Sequence, residues 1–458
     1  MYNLRSMFIR WLYLLVACAA VTACAAPVQT LKKSPNGRYL IDSNKVPFLI
    51  AGDSPQSLMV NIATNDADMY FADRQSHAFN SVWIDLLCTT YTGGNADGST
   101  YDGILPFTGY LPGGANDLAH YDLTKPNEAY FARCDQMLQL ANKYGLVVFL
   151  DPIETGGWMT TIMNNGAKNC RAYGRYLGKR YQNFPNIVWL SGNDDSTWRN
   201  VTQDVAVSAV ALGIKQGDKQ HIHTVEFTSP GGSLDNPRWA GIIKLNGSYT
   251  YNPTYAQILK DYQRKKFDPV FLVEANYEFE NINGPVTTAP ILRKQEYWAN
   301  LSGATGQLYG NHATWTFESG WQGLLDTPGA IEMAYVGQLF GPRAWYQLVP
   351  DTNHVVVTAG YGTFSSNDTV DNNNYLTAAR TPDGTLVMAF TPVIQQFTVD
   401  MTKLSAPATA HWYDPSNGTY TIIVGSPLSN TGTQDFTPPG NNSDGDGGWV
   451  LVLETRSP

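Results

Sequence analysis

The chain has 458 residues, 43% of them hydrophobic, which excludes a stapled mini-domain and excludes disorder over most of its length. Only 15% are charged, against about 25% in typical soluble domains. The formal charge of −9 leaves no basic footprint for a nucleic acid. Aromatic residues reach 12%, and a chain rich in rings but poor in charge suits neutral polyols, whose C–H faces stack and whose hydroxyls hydrogen-bond.

Arg5 and Arg10 precede an apolar run from Trp11 to Ala23. It is shorter than the roughly 20 residues a bilayer requires, but fits the h-region of a signal peptide. Val21-Thr22-Ala23-Cys24 resembles a bacterial lipobox. It predicts removal of residues 1–23, lipidation of Cys24, and a tether over 24–36. Ordinary cleavage at Ala23-Cys24-Ala25 is the alternative; both readings predict export to the periplasm or cell surface. Cys88, Cys134 and Cys170 form neither a C-x-x-C nor a Cys/His cluster, so buried thiols are expected, with a Cys134–Cys170 bridge as the alternative. No metal or cofactor is expected.

Over residues 37–345, short apolar runs alternate with helical patterns. The expected strands are Pro47–Ala51, Ser81–Leu87, Leu146–Asp151, Asn186–Ser191, His223–Phe227, Ile242–Leu245, Val270–Glu274 and Gln307–Tyr309. Helices are expected over Asn127–Tyr144, Asn169–Phe184, Val201–Gln216, Tyr255–Lys265, Pro290–Ser302 and Pro328–Phe340. This alternation predicts an α/β fold, a (β/α)8 TIM barrel. Over 346–458 the runs are short and turn-separated, from His354–Thr358 to Trp449–Glu454, which predicts a small all-β sandwich domain. The Asp/Asn/Gly run at 441–448 lacks the twelfth-position Glu of a calcium loop and reads as a solvated hairpin.

Barrel chemistry sits at the C-terminal ends of the strands. Asp53, Asp85, Asp151, Asn193-Asp194, Glu226, Glu274 and Asn311-His312 fall there. Asp53, Asp85 and Asp151 would bind sugar hydroxyls or anchor the rim; Glu226 would support the site or contact the ligand. Asp194 and Glu274 follow apolar strands on opposite sides of the barrel, as a pair of carboxyls for glycoside hydrolysis would. Glu278 is the rival for the second carboxyl. Trp158, Trp198, Tyr251 and Trp315 fall in loops where rings could stack on sugar, and each could equally pack in the core. Tyr277 could hydrogen-bond the nucleophile, and His312 is a site candidate, whereas His223 reads as a core histidine.

The runs Gly37-Arg38-Tyr39-Leu40 … Pro47-Phe48-Leu49-Ile50-Ala51-Gly52-Asp53-Ser54, Pro185-Asn186-Ile187-Val188-Trp189 … Gly192-Asn193-Asp194 and Pro269-Val270 … Glu274-Ala275-Asn276-Tyr277-Glu278 resemble the apiosidase-like glycoside hydrolases. That resemblance implies a (β/α)8 barrel with a C-terminal β-sandwich and release of apiose, a branched furanose, from pectin. It also implies Asp194 as general acid/base and Glu274 as nucleophile in a retaining reaction. Asn193 stands where the family often has Gly, and could hold a sugar 2-hydroxyl. Pro55-Gln56-Ser57-Leu58 stands where an aromatic is common. The expected protein is an exported, lipid-anchored glycosidase acting on a side chain of an oligo- or polysaccharide, touching the membrane only through its lipid. Other exo-furanosidases, acting on arabinofuranose or galactofuranose, and a non-catalytic glycan-binding lipoprotein are the alternatives.

Overall fold

The computed structural model describes residues 30–194 and 200–456. The expected signal segment, Cys24 and Trp198 lie outside the described residues. The barrel strands are β1 (Ile50–Asp53), β2 (Ser81–Asp85), β3 (Val147–Asp151), β4 (Ile187–Ser191), β5 (His223–Val225), β6 (Asn246–Tyr249), β7 (Val270–Glu274) and β8 (Ala304–Tyr309). They pair in parallel from β5 back through β4, β3, β2 and β1 to β8, β7 and β6. The joint between β5 and β6 has no ladder. There Lys244 N–H donates to the His223 carbonyl at 2.9 Å. The Ser233 hydroxyl donates to the Val225 carbonyl and accepts from Gly247 N–H at 2.8 Å, so a side chain stitches the wall.

The barrel interior is filled by Trp83, Phe149, Leu190, Phe271, Val273 and Leu308, with Phe149 and Phe271 stacked at 5.3 Å. Leu31 and Leu40 join this cluster from a three-stranded antiparallel sheet made of Lys32–Lys33, Leu40–Ile41 and Pro47–Phe48. Residues 30–36, expected as tether, therefore belong to the fold. Pro47 lacks the N–H that a central strand needs, and it ends in this outer sheet while β1 begins at Ile50.

The sixth strand was expected at Ile242–Leu245 but forms at Asn246–Tyr249. Ile242, Ile243 and Leu245 are buried in the preceding turn, so their apolarity marks burial rather than a ladder. At Gly247 in β6 a Cβ would press on the Val273 side chain at 3.2 Å. The helix expected at Asn169–Phe184 spans Thr155–Tyr181, broken in direction at Gly166, whose φ is +61°. A further helix, Thr64–Ser76, was not expected. The three cysteines are free and buried. Among the described residues no helix is long and apolar enough to cross a membrane.

From Val349 onward the chain forms two antiparallel sheets. One has six strands in the order Val349–Pro350, Thr377–Arg380, Leu386–Thr391, Trp449–Glu454, Thr409–Asp414, Thr419–Ile422. The other pairs Val357–Ala359, Phe397–Asp400 and Thr433–Phe436. One face of the large sheet packs on the small one through Val387, Ala389, Leu451, Leu453, Phe397 and Val399. The other face shares a core with the barrel's outer helices Ala289–Leu301 and Pro328–Phe340, where Tyr297, Trp298, Phe340, Met388, Phe390, Val450 and Val452 meet.

The run at 441–448 is no solvated hairpin. Its Asp444 and Asp446 carboxylates grip Arg293 of the barrel helix, which is 2% exposed and also bonds Glu332 at 2.6 Å. A guanidinium with five donors occupies the oxygen cage that the sequence offers a cation. Arg293→Ala would leave Glu332 buried without its partner. The expected cost is about 3–5 kcal/mol, read as a lower melting temperature and as the two parts unfolding in separate calorimetric transitions.

Candidate active site

The end of β4 is built under backbone constraint. Gly192, Asn193 and Asp194 all have positive φ, at +119°, +83° and +54°. Only Gly fits the first position, where a Cβ would lie 2.5 Å from the Glu226 carbonyl; Asn and Asp are the side chains that best tolerate the next two. Two neighbours hold this turn. Glu226 Oε2 accepts from Asp194 N–H at 2.9 Å. Thr155 Oγ1 donates to the carbonyls of Gly192 and Asn193 at 3.2 and 3.0 Å. The result lifts the Asp194 carboxyl to the rim, half-buried, where Tyr91 OH donates to Oδ2 at 3.2 Å.

Glu274 ends β7. Tyr251 OH donates to its Oε1 at 2.8 Å and Tyr277 OH to its Oε2 at 3.3 Å. Tyr249 OH lies 2.5 Å from Tyr251 OH. Burial pushes Glu274 up to about 7, with the charges of Asp194 and Glu280 adding and the Tyr251 and Tyr249 hydroxyls opposing. Burial and the Glu274 charge in turn hold Tyr249 and Tyr251 far above the usual phenol range, so both remain donors. Asp194, Glu274, Tyr91, Tyr251, Tyr277, Trp315, Glu280 and Ile282 line one pocket of about 170 Å³, floored by Gln56, Asn193 and Tyr249. Among the described residues that line it there is no Lys or Arg. The Trp315 indole N–H has no partner among the described residues.

The remaining expected site residues divide. Asp53 is fully buried; its oxygens accept from Tyr70, Arg74 and Ser54, so it ties the Thr64–Ser76 helix to β1 and does not reach the pocket. Asp151 is fully buried and accepts from Ile153 N–H at 2.9 Å, also away from the pocket. Asp85 is buried under the pocket floor, accepting from Trp83 Nε1 and Asn193 Nδ2, each at 2.9 Å. Asn193 spends its amide inward, on Asp85 and Gln56, rather than offering it to a sugar hydroxyl. Trp158 is 0% exposed and packs with Phe107 and Tyr121 in the core, so it is no stacking platform. His312 stands at the mouth and reaches the pocket only through Glu280, 3.2 Å away. The rival carboxyl Glu278 is 1% exposed and satisfied by Tyr309, Thr327 and Gly329 N–H, which joins the ends of β7 and β8.

Tyr91, Tyr249 and Glu280 were not singled out in the sequence, and Gln56 was marked only as part of the run Pro55–Leu58. Tyr249 was hidden by the misplaced sixth strand. Tyr91 lies in Thr89-Thr90-Tyr91-Thr92-Gly93-Gly94 after β2, and its ring covers Gly156, where a Cβ would come within 2.4 Å. An aromatic in a Gly/Thr loop past a barrel strand was the available signal. One cluster with metal-ligand spacing among the described residues, Asp73, His77 and Asp326, does not line the pocket.

The carboxyls at the rim carry a cost. Burial lifts Asp85, Asp151 and Glu226 well above their ordinary values, aided by Glu154, Asp85 and Glu274 respectively, and lifts Glu154 from 4.5 to about 7. The folded chain thus keeps protons that the unfolded chain releases, so stability falls as pH rises from about 4.5 to about 7. His223 opposes this, since burial lowers it to about 3, but it is one group against Asp85, Asp151, Glu154, Glu226 and Glu274. Melting temperature should therefore decline across that window, and Glu226→Gln, which keeps an acceptor for Asp194 N–H, should make the decline shallower. A flat or rising profile would contradict the assignment of buried, protonated acids.

A family model described as "Apiosidase-like, catalytic domain" matches residues 34–347. A second model, for a proposed collagen-binding domain of a collagenase, matches residues 364–454. Among solved structures, one described as a glycoside hydrolase superposes with a TM-score of 0.77 at 21% identity, covering 94% of this chain and 98% of the other. A glycoside hydrolase family 5 structure from Bacteroides vulgatus ATCC 8482 superposes at 0.76 and 19% identity, covering 93% of each. At such identities the likeness speaks for the fold. Comparison with curated proteins gives no match.

Proposed function

The chain belongs to the apiosidase-like glycoside hydrolases, and from that premise we propose an exported, lipid-anchored, retaining glycosidase that removes a side-chain sugar from a polysaccharide. The observation that carries the reading is the pairing of Asp194 and Glu274 in one pocket, one carboxyl at the mouth of a constrained turn and the other held on both oxygens by phenols.

Glu274 is the nucleophile. The donors Tyr251 and Tyr277 favour its ionised form and fix its orientation. Asp194 protonates the leaving oxygen as Glu274 bonds to the anomeric carbon. It then takes a proton from the water that breaks the glycosyl ester, which restores both carboxyls. Tyr91 steadies Asp194. Trp315 offers a ring edge, and Ile282 an apolar wall, to a sugar ring. The family supports an apiose-type branched furanose as substrate. The run Pro55–Leu58 stands where an aromatic is common and sets Gln56 in the pocket floor, which favours a second reading in which the sugar is another furanose, such as arabinofuranose or galactofuranose.

Asp194→Asn and Glu274→Gln should each lower kcat by about 10²–10⁴-fold or more on a panel of aryl glycosides and pectic oligosaccharides, while glycan binding persists. Proton NMR of the first-formed product should show the substrate's anomeric configuration. The acidic limb of kcat/KM should lie above the ordinary carboxylate value of 4.5, toward 7, because activity appears as Glu274 deprotonates. If the wild type hydrolyses nothing yet binds glycan, and both variants bind equally, the chain is a glycan-binding protein on an enzyme scaffold. For the anchor, Cys24→Ser should move the mature protein from the membrane fraction to the soluble fraction of the envelope; unchanged fractionation would refute lipidation there.

A further inference from the structure

Beneath the pocket a line of hydrogen bonds joins the ends of four strands. Trp83 Nε1 and Asn193 Nδ2 each donate to Asp85 at 2.9 Å. Asn193 Nδ2 also donates to Gln56 Oε1 at 3.0 Å, and Gln56 Nε2 donates to Tyr277 OH at 2.9 Å. Tyr277 OH donates to Glu274 Oε2 at 3.3 Å. Each member before Glu274 is buried, with Gln56 2% and Asn193 4% exposed, so water does not compete for these groups.

Resting on the proposed glycosidase reading, we infer that Gln56 and Asn193 are positioning residues for Glu274, acting through the proton of the Tyr277 hydroxyl. The direction of every bond follows from what each group can do. The Trp83 indole and the Asn193 amide nitrogen have only protons to give, so the Asp85 oxygens accept from both whichever form the acid takes. Asn193 spends both amide N–H groups, on Asp85 and on the Gln56 oxygen. With its oxygen so engaged, the Gln56 amide turns its nitrogen to Tyr277. A phenol has one proton, and with its oxygen accepting from Gln56 that proton is committed to Glu274.

Gln56 is itself locked, since its N–H bonds the Ser54 carbonyl at 2.9 Å and its carbonyl accepts from Asp85 N–H at 2.8 Å. Asn193 precedes Asp194 in the same positive-φ turn, so the relay also links the placement of the acid to the orientation of the nucleophile.

Glu274 is faced as well by Tyr249, Tyr251, Asp194, Glu226 and Glu280. None of these touches Gln56 by a hydrogen bond, so the relay can be tested apart from them. Gln56→Met keeps the length of the side chain but has no amide. It should lower kcat/KM roughly tenfold at pH values on the acidic limb and displace that limb upward, with KM little changed, because Tyr277 no longer commits its proton and Glu274 holds its own more tightly. Tyr277→Phe should move the limb the same way. The double variant Gln56→Met/Tyr277→Phe should match Tyr277→Phe alone, since one path cannot be cut twice. Asn193→Gly, which suits a φ of +83°, should give the Gln56→Met profile if the relay starts where the geometry places it.

Additive effects of Gln56→Met and Tyr277→Phe, or lower stability with an unmoved limb, would overturn the inference while leaving the two carboxyls in place. Loss of hydrolysis in the wild type itself would instead remove the reading on which it rests.

Discussion

Gly192, Asn193 and Asp194 run through three successive positive φ angles, and the site depends on their being kept there. Such a path is unfavourable for L residues and persists only where the surroundings over-determine it. Here Glu226 takes the Asp194 N–H and Thr155 takes two carbonyls, while Gly192 is pressed against the Glu226 backbone. The acid of the fourth strand is therefore presented by a turn whose backbone Glu226 and Thr155 hold by hydrogen bonds. The fifth strand, though it sends no group into the pocket, decides where that acid stands.

The same rim shows how a charge-poor chain uses its acids. Asp53 is neutralised by Arg74 and turned to holding a helix. Asp85 and Glu226 are turned to holding backbone and amide groups under the floor. Among the described residues, the acids that open to the pocket are Asp194 and Glu274, with Glu280. Burying Asp85 and Glu226 without cations favours their neutral forms, which lessens repulsion around two carboxyls that must act in different protonation states.

Much of this was legible in the primary structure. Apolar runs found seven of the eight barrel strands, and the helix Pro328–Phe340 was placed at its true limits. The sixth strand was displaced because its own sequence, Asn246-Gly247-Ser248-Tyr249, is polar and small while the turn before it is apolar. Asp194 and Glu274 could be singled out because strand ends are defined positions in a barrel, and both line one pocket. Trp158 was not distinguishable from a stacking residue, since the helix Thr155–Tyr181 that buries it begins well before its expected start at Asn169. Asn193 and Gln56 show the deeper limit: whether an amide turns to ligand or to floor depends on partners more than a hundred residues away, which no local pattern records.

The core shared by the barrel helices and the large C-terminal sheet bears on how such a chain can be inherited. A module on a flexible linker can be cut from one gene and joined to another without harm to either part. Here Phe390 and Val452 have their apolar partners in Tyr297, Trp298 and Phe340, across what would be the cut. Recombination at that boundary would expose oily faces on both products. The two parts are thus bound to travel and diverge together, with substitutions on one side of the seam selected by those on the other.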